Sequence, residues 1–218
     1  MKIFIEGNIG SGKSTIISFL QSLPELKQLK FVVLEEPVEQ WKQFKDDQKT
    51  NILDYFYKNP KRWGYLFQMM AFMTRAKLIQ QHNDKNILME RSVFSDRYIF
   101  AKNCYEQSLI TNIEWKTYLH WFSWLCDQFN LHEDAFIYLQ TDPKKSYQRI
   151  QKRNRSEEKQ IPYDYIKQIH DKHEEWFLNN KKQKNILILD GNIENSPERL
   201  QIFKKQILEF IATLCLEK

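Results

Sequence analysis

The chain has 218 residues, a formal net charge of +5 and 42% hydrophobic residues, among them six Trp, ten Tyr and fifteen Phe. That is enough for an ample core, and it predicts one domain over residues 1–218. Lys and Arg are scattered rather than gathered in a stripe, which argues against a nucleic-acid partner, and no apolar run is long enough to span a membrane.

The first predicted strand, Lys2–Glu6, leads directly into Gly7-Asn8-Ile9-Gly10-Ser11-Gly12-Lys13-Ser14. This is a G-x-x-x-x-G-K-[ST] phosphate loop in its required setting, strand before and helix after. Its glycines let the backbone curl so that N–H groups face an anion, and the helix opening near Gly12 adds its positive end. Lys13 reaches the outer phosphates, and the Ser14 hydroxyl suits Mg²⁺. The motif predicts that the chain binds a nucleoside triphosphate.

The second strand, Phe31–Leu34, is followed by Glu35-Glu36-Pro37. The stretch Trp63–Ile79 is apolar nearly all round and predicts a buried helix. Gln68 and Arg75 interrupt it two turns apart, and with Ala71 and Phe72 they form one stripe. A buried amide and a buried guanidinium both need partners. Gln68 offers a donor and an acceptor side by side, which fits a nucleobase edge, and Asp96 is a candidate partner for Arg75. An internal polar network without a ligand explains the same stripe equally well.

The third strand, Ile87–Glu90, ends in Glu90-Arg91-Ser92. Glu90 suits a role at Mg²⁺, and Arg91 can bridge an acceptor oxygen and carboxylates. The plain alternative is a surface pair at a strand end; the phosphate loop upstream favours the functional one. The fourth strand, Ala135–Leu139, leads through Asp142-Pro143 into a helix on which Arg149, Lys152 and Arg153 share a face. Arg155 follows in the polar segment 154–160. A solvated basic face is the simpler explanation, but beside a phosphate loop a lid over about 149–160 is favoured. The last strand is Ile186–Leu189.

Strands alternating with long helices predict an α/β fold with five parallel strands flanked by helices. Ligands in such sheets sit outside the carboxyl ends of the strands, where the charged groups above fall. Cys104, Cys126 and Cys215 lie far apart and form no metal motif, so three buried, reduced thiols are expected. His170 and His173 suggest a surface pair rather than a metal site. The absence of a secretory or transit segment before the first strand predicts a soluble, cytoplasmic protein.

Taken together, these motifs resemble the deoxynucleoside kinases of the deoxycytidine/deoxyguanosine kinase type, in order and over nearly the whole chain. The matching segments run from Gly7 to Thr15; Glu36-Pro37-Val38 with Trp41; Tyr57-Lys-Asn-Pro-Lys-Arg-Trp63; Phe67-Gln68; Glu90 to Tyr98; and Arg153-Asn-Arg155-Ser-Glu-Glu158. The resemblance implies a P-loop NTPase-like three-layer sandwich that phosphorylates the 5′-hydroxyl of 2′-deoxynucleosides with ATP, or another triphosphate, and Mg²⁺. It implies Glu36 as general base, with Arg91 holding Glu36 and the 5′-oxygen. Tyr57 and Glu158 hold the sugar 3′-hydroxyl; Gln68 reads the base; Phe67 and Phe100 sandwich it; Ile9, Leu53 and Trp41 line the pocket. Ser14 and Glu90 serve the metal. Arg149, Arg153 and Arg155 close over the phosphates, and the loop near 191–195 meets the donor adenine. Arg75 with Asp96 matches the subgroup acting on deoxycytidine and purine deoxynucleosides in preference to thymidine. Members of this family are homodimers. Two rivals stand beside this reading: a nucleoside-monophosphate kinase of the thymidylate type, which would need basic groups at the acceptor site, and a catalytically silent nucleotide-binding module.

Overall fold

Five short strands form one parallel sheet in the order β2-β3-β1-β4-β5. The structure is a computed structural model that describes residues 1–179 and 185–216, the side chain of Ser156 excepted. In chain order the elements are β1 (Lys2–Glu6), α1 (Lys13–Gln21), α2 (Pro24–Gln28), β2 (Phe31–Leu34), α3 (Val38–Gln43), α4 (Ile52–Lys58), α5 (Pro60–Gln81), β3 (Asn86–Glu90) and α6 (Val93–Ser95). A π-helical turn follows (Asp96–Ala101), then α7 (Lys102–Glu106), α8 (Asn112–Gln128), β4 (Ala135–Gln140), α9 (Pro143–Arg153) and a 3₁₀ turn (Ser156–Glu158). The chain closes with α10 (Tyr163–Asn179), β5 (Ile186–Asp190) and α11 (Pro197–Leu216).

The period of two along a strand explains the three layers. On central β1, Ile3 and Ile5 face one side, where they pack with Ile16, Ile17 and Leu20 of α1 and Phe203, Ile207 and Ile211 of α11. Phe4 faces the other side with Phe72 of α5, Tyr118 and Phe122 of α8 and Phe177 of α10. Burying each such side chain contributes roughly 1.5–3 kcal/mol. A one-residue slip of β1 would exchange the two sets, so its register is firmly set: Phe4 lies opposite Met89 and Phe136, and Ile5 opposite Glu90.

Local chemistry fixes the helices that carry the site. Asn59 caps α5 by accepting the Arg62 N–H, and Pro60 occupies its first turn. Asp142 caps α9 by accepting the Lys144 N–H at 2.7 Å. Lys152 and Arg153 sit in the last turn of α9, where the helix dipole favours cations, and Asn154 ends it in the left-handed conformation.

Three expectations need correction. Helix α5 is not buried all round: Leu66 and Met73 are exposed, because they lie on the face turned from the sheet. His173 is fully buried rather than on the surface; its ring stacks on Tyr138 and Phe177 and its Nδ1 donates to the Ile169 carbonyl. Of the three thiols only Cys104 is buried; Cys126 is half-buried and Cys215 exposed. No helix among the described residues is long and apolar enough to cross a membrane, and no group of three or more His, Cys, Asp or Glu among them could hold a metal.

Candidate active site

The phosphate loop spans the turn from β1 to α1, at the carboxyl edge of the sheet where strand order reverses. Gly10, at a position the motif leaves free, has to be glycine in this chain. Its φ is +76°, and a Cβ would lie 2.4 Å from the Ser146 carbonyl oxygen of α9. Lys13 folds back over the loop and donates to the carbonyls of Gly7 (3.0 Å) and Asn8 (2.8 Å). Burial, with Arg91 nearby, lowers its pKa to about 7 against the pull of Glu90, Glu36 and Glu6. The Asn8 side chain fixes the loop's other edge, donating to the Ile166 carbonyl of α10 at 2.8 Å.

The ends of β2 and β3 bring three charged groups to the same place. Glu90 accepts from the Ser14 hydroxyl at 3.2 Å and lies 4.0 Å from the Lys13 ammonium. Burial raises its pKa, with Lys13 opposing. Arg91 holds a left-handed backbone with φ 63°, a conformation that costs a non-glycine residue about 1–3 kcal/mol and concentrates at functional sites. From there its Nε sits 3.1 Å from Glu36, and its guanidinium covers the Phe100 ring at 4.5 Å. Glu36 also pairs with Arg75. Burial alone would raise the Glu36 carboxyl, but Arg75, Arg91 and Lys13 outweigh it, and the pKa lies below the usual range.

Arg75 pairs with Asp96 through its other terminal nitrogen, as the stripe on α5 suggested. Asp96 begins the π-helical turn, a local widening often found at sites. Its carboxyl is pushed up to about 7 by burial, with Arg75 opposing. Arg75 also lies over the Trp41 ring at 5.0 Å, and Trp41 donates to the Thr74 hydroxyl at 2.9 Å. Phe67 stacks on Phe56 at 4.7 Å and meets Trp41 edge-on at 5.4 Å.

These groups wall one pocket. From the sequence-predicted residues it brings together Ile9, Gly10, Gly12, Lys13, Ser14 and Thr15 with Glu36, Glu90 and Arg91. Trp41, Leu53, Tyr57, Phe67, Gln68, Arg75, Asp96 and Phe100 form the deeper part, and Arg153, Arg155 and Glu158 close the mouth. Gly7, Asn8 and Ser11 shape the loop without lining the pocket. Arg149 also points elsewhere: it donates to the carbonyls of Ser11 (3.1 Å), Gly191 (2.9 Å) and Ile193 (3.3 Å), tying α9 to the loop after β5. Glu158 pairs with Arg153 and lies 3.6 Å from Arg155. Burial, Glu158 and Glu36 raise the Tyr57 hydroxyl, so it stays a donor at neutral pH.

The sequence reading missed several wall residues. Lys42 of α3 reaches Glu157 at 3.4 Å, joining two sides of the pocket mouth. Val38, Phe56 and Tyr165 also line it. Glu6, wholly buried, accepts the Ser92 N–H at 2.7 Å and braces the turn that carries Arg91. A charged residue ending an apolar strand was the available signal for Glu6; nothing local marks Lys42 or Tyr165. Ser14 and Glu90 together offer a hydroxyl and a carboxylate oxygen, the hard donors that Mg²⁺ takes.

The family described as deoxynucleoside kinase matches residues 3–213. Among curated relatives, a probable deoxycytidine kinase of Fowlpox virus is 38% identical over 98% of this chain and 89% of its own length. Human deoxycytidine kinase is 35% identical over 98% of the chain and 92% of its own length. The mitochondrial deoxyguanosine kinase of Xenopus laevis is 34% identical over 90% of the chain and 83% of its own length. With a phosphate loop, a five-stranded parallel sheet and a match over nearly its full length, the chain belongs to the deoxynucleoside kinase family.

Proposed function

We propose that this phosphotransferase moves the γ-phosphate of ATP, or another nucleoside triphosphate, to the 5′-hydroxyl of a 2′-deoxynucleoside for nucleotide salvage. Deoxycytidine and the purine deoxynucleosides are favoured over thymidine. The observation that carries the reading is Glu36, held ionised by Arg75 and Arg91 between the phosphate loop and an aromatic-walled pocket.

In this mechanism the 5′-oxygen attacks the γ-phosphorus, the bond to the β-phosphate oxygen breaks, and the hydroxyl proton passes to Glu36. A carboxylate of lowered basicity accepts that proton late, which suits the loose transition state of phosphoryl transfer. Arg91 holds Glu36 and the attacking oxygen in line. Tyr57 and Glu158 take the sugar 3′-hydroxyl, Gln68 meets the base edge, and Phe67 and Phe100 flank the ring in the cleft lined by Ile9, Leu53 and Trp41. Lys13, Arg153 and Arg155 neutralise the phosphates, with residues 149–160 as the lid and Arg149 anchoring it. Ser14 and Glu90 would hold Mg²⁺, which supplies charge neutralisation on the phosphate oxygens.

The reading takes residues 1–218 as one kinase domain, cytoplasmic and without a nucleic-acid partner. It also takes the chain as a homodimer. In support, Leu66 and Met73 of α5 and Ile113, Trp121 and Trp124 of α8 are exposed, at helical spacings that place them on one face of each helix. A monomer in light scattering would end that part. A panel of tritiated nucleosides and nucleoside monophosphates, with ATP and Mg²⁺, tests the whole. Turnover of deoxynucleosides alone is expected; turnover of monophosphates would transfer the site to the thymidylate type.

A further inference from the structure

Arg199 lies in the first turn of α11 and is only 3% exposed. Its Nε and Nη2 have no hydrogen-bond partner among the described residues. A guanidinium never loses its charge in proteins, so burying one unpaired is costly. Its guanidinium lies over the Phe203 ring at 4.7 Å. The carboxylates that act on it most are otherwise engaged: Asp190 accepts from the Asn192 N–H at 2.8 Å, and Glu194 pairs with Lys145 at 2.6 Å. Arg149, a second guanidinium, repels it.

The position gives this cost a use. Nη2 lies 3.9 Å from where a Cβ on Gly12 would stand, beside the residue that caps α1 and closes the phosphate loop. It sits on the side of the loop after β5, which Arg149 ties down through Gly191 and Ile193. The acceptor pocket is walled by α3, α4, α5 and the π-helical turn, and Arg199 does not line it. Lys13, Arg153 and Arg155 already face the pocket where phosphates would lie. A group that reaches Arg199 from the phosphate loop therefore belongs to the other half of the donor. A guanidinium offers only donors, so it selects oxygen or ring-nitrogen acceptors.

We propose that Arg199 is a binding residue for the nucleoside half of the phosphate donor, taking acceptor atoms of its sugar or base with Nε and Nη2. The inference rests on the donor part of the proposed function, not on the identity of the acceptor.

The test is calorimetric binding of ATP, UTP and tripolyphosphate to the full chain, wild type and Arg199→Met. Methionine keeps the packing on Phe203 and removes the charge. The dissociation constants for ATP and UTP should rise about ten- to a hundredfold, while that for tripolyphosphate stays within twofold and the melting temperature does not fall. Unequal losses for ATP and UTP assign the contact to the base, and equal losses to the sugar. Unchanged nucleotide affinity overturns the proposal, and so does an equal loss for all three ligands. Should Arg199→Met not fold, Arg199→Lys gives the same readout, with a smaller nucleotide-specific loss expected and unchanged affinities overturning the idea. Failure of the wild type to phosphorylate any deoxynucleoside while it still binds ATP would strike the acceptor reading and leave Arg199 in place.

Discussion

Arg75 and Glu36 form an ion pair that joins helix α5 to the loop after β2. The same guanidinium pairs with Asp96. One residue in the stripe proposed to face the base therefore also helps keep the proposed general base ionised. In the proposed function, base choice and catalysis share this charged network, and changes at Arg75 should be felt in both.

Replacing Arg75→Met together with Asp96→Ala should raise the kcat/KM ratio of thymidine to deoxycytidine, because the pair is proposed to narrow the pocket where thymine would carry its methyl. Absolute kcat should fall at the same time, since Glu36 loses a partner. Arg75→Met alone leaves the Asp96 carboxylate buried without its cation, a loss of about 3–5 kcal/mol of stability. Steady-state kinetics with both nucleosides, plus thermal melts, separate these effects. An unchanged ratio in the double variant would reduce Arg75 and Asp96 to a structural pair.

Lys13 carries a pH signature. Its pKa of about 7 in the free protein lies below the ordinary lysine value of 10.5. The unfolded chain therefore binds more protons between those values, and Lys13 makes stability rise with pH across that window. Triphosphate binding should recharge it. At pH 8, ATP binding should take up protons, measurable as a dependence of the binding enthalpy on buffer ionisation heat. Lys13→Ala should abolish the uptake and lower affinity and kcat together. ATP affinity and turnover equal to wild type in that variant would make the phosphate-loop match accidental.

In the proposed function Tyr57 and Glu158 hold the sugar 3′-hydroxyl and should leave little space at the 2′ position. A ribose hydroxyl there should be crowded or unpaired, at about 1–3 kcal/mol. Deoxycytidine should therefore exceed cytidine in kcat/KM by roughly ten- to a hundredfold. Parity between the two would remove Tyr57 from sugar recognition.

The parts of the molecule with local causes were legible in the sequence. Each of the five strands is a short apolar run, and the phosphate loop is contiguous, so both were readable by period and spacing. The stripe of Gln68, Ala71, Phe72 and Arg75 was readable because a helix repeats. Contacts between distant segments were not. Nothing near Glu36 announces that Arg75 reaches it across 39 positions. Arg149 looked like its neighbours Arg153 and Arg155, yet the carbonyls of Gly191 and Ile193 capture it. His173 looked polar and exposed, but the aromatic faces of Tyr138 and Phe177 bury it. In each case the deciding partner lies on another element of the fold.

The central claim is that Glu36 accepts the proton of a deoxynucleoside 5′-hydroxyl. Glu36→Gln keeps the shape and removes the base, so the direct measurement is kcat for deoxycytidine phosphorylation beside calorimetric ATP affinity for the same variant. A fall in kcat of roughly 10²–10⁴-fold with ATP affinity retained is the expected result. A Glu36→Gln enzyme that turns over deoxycytidine at close to the wild-type rate would contradict the account.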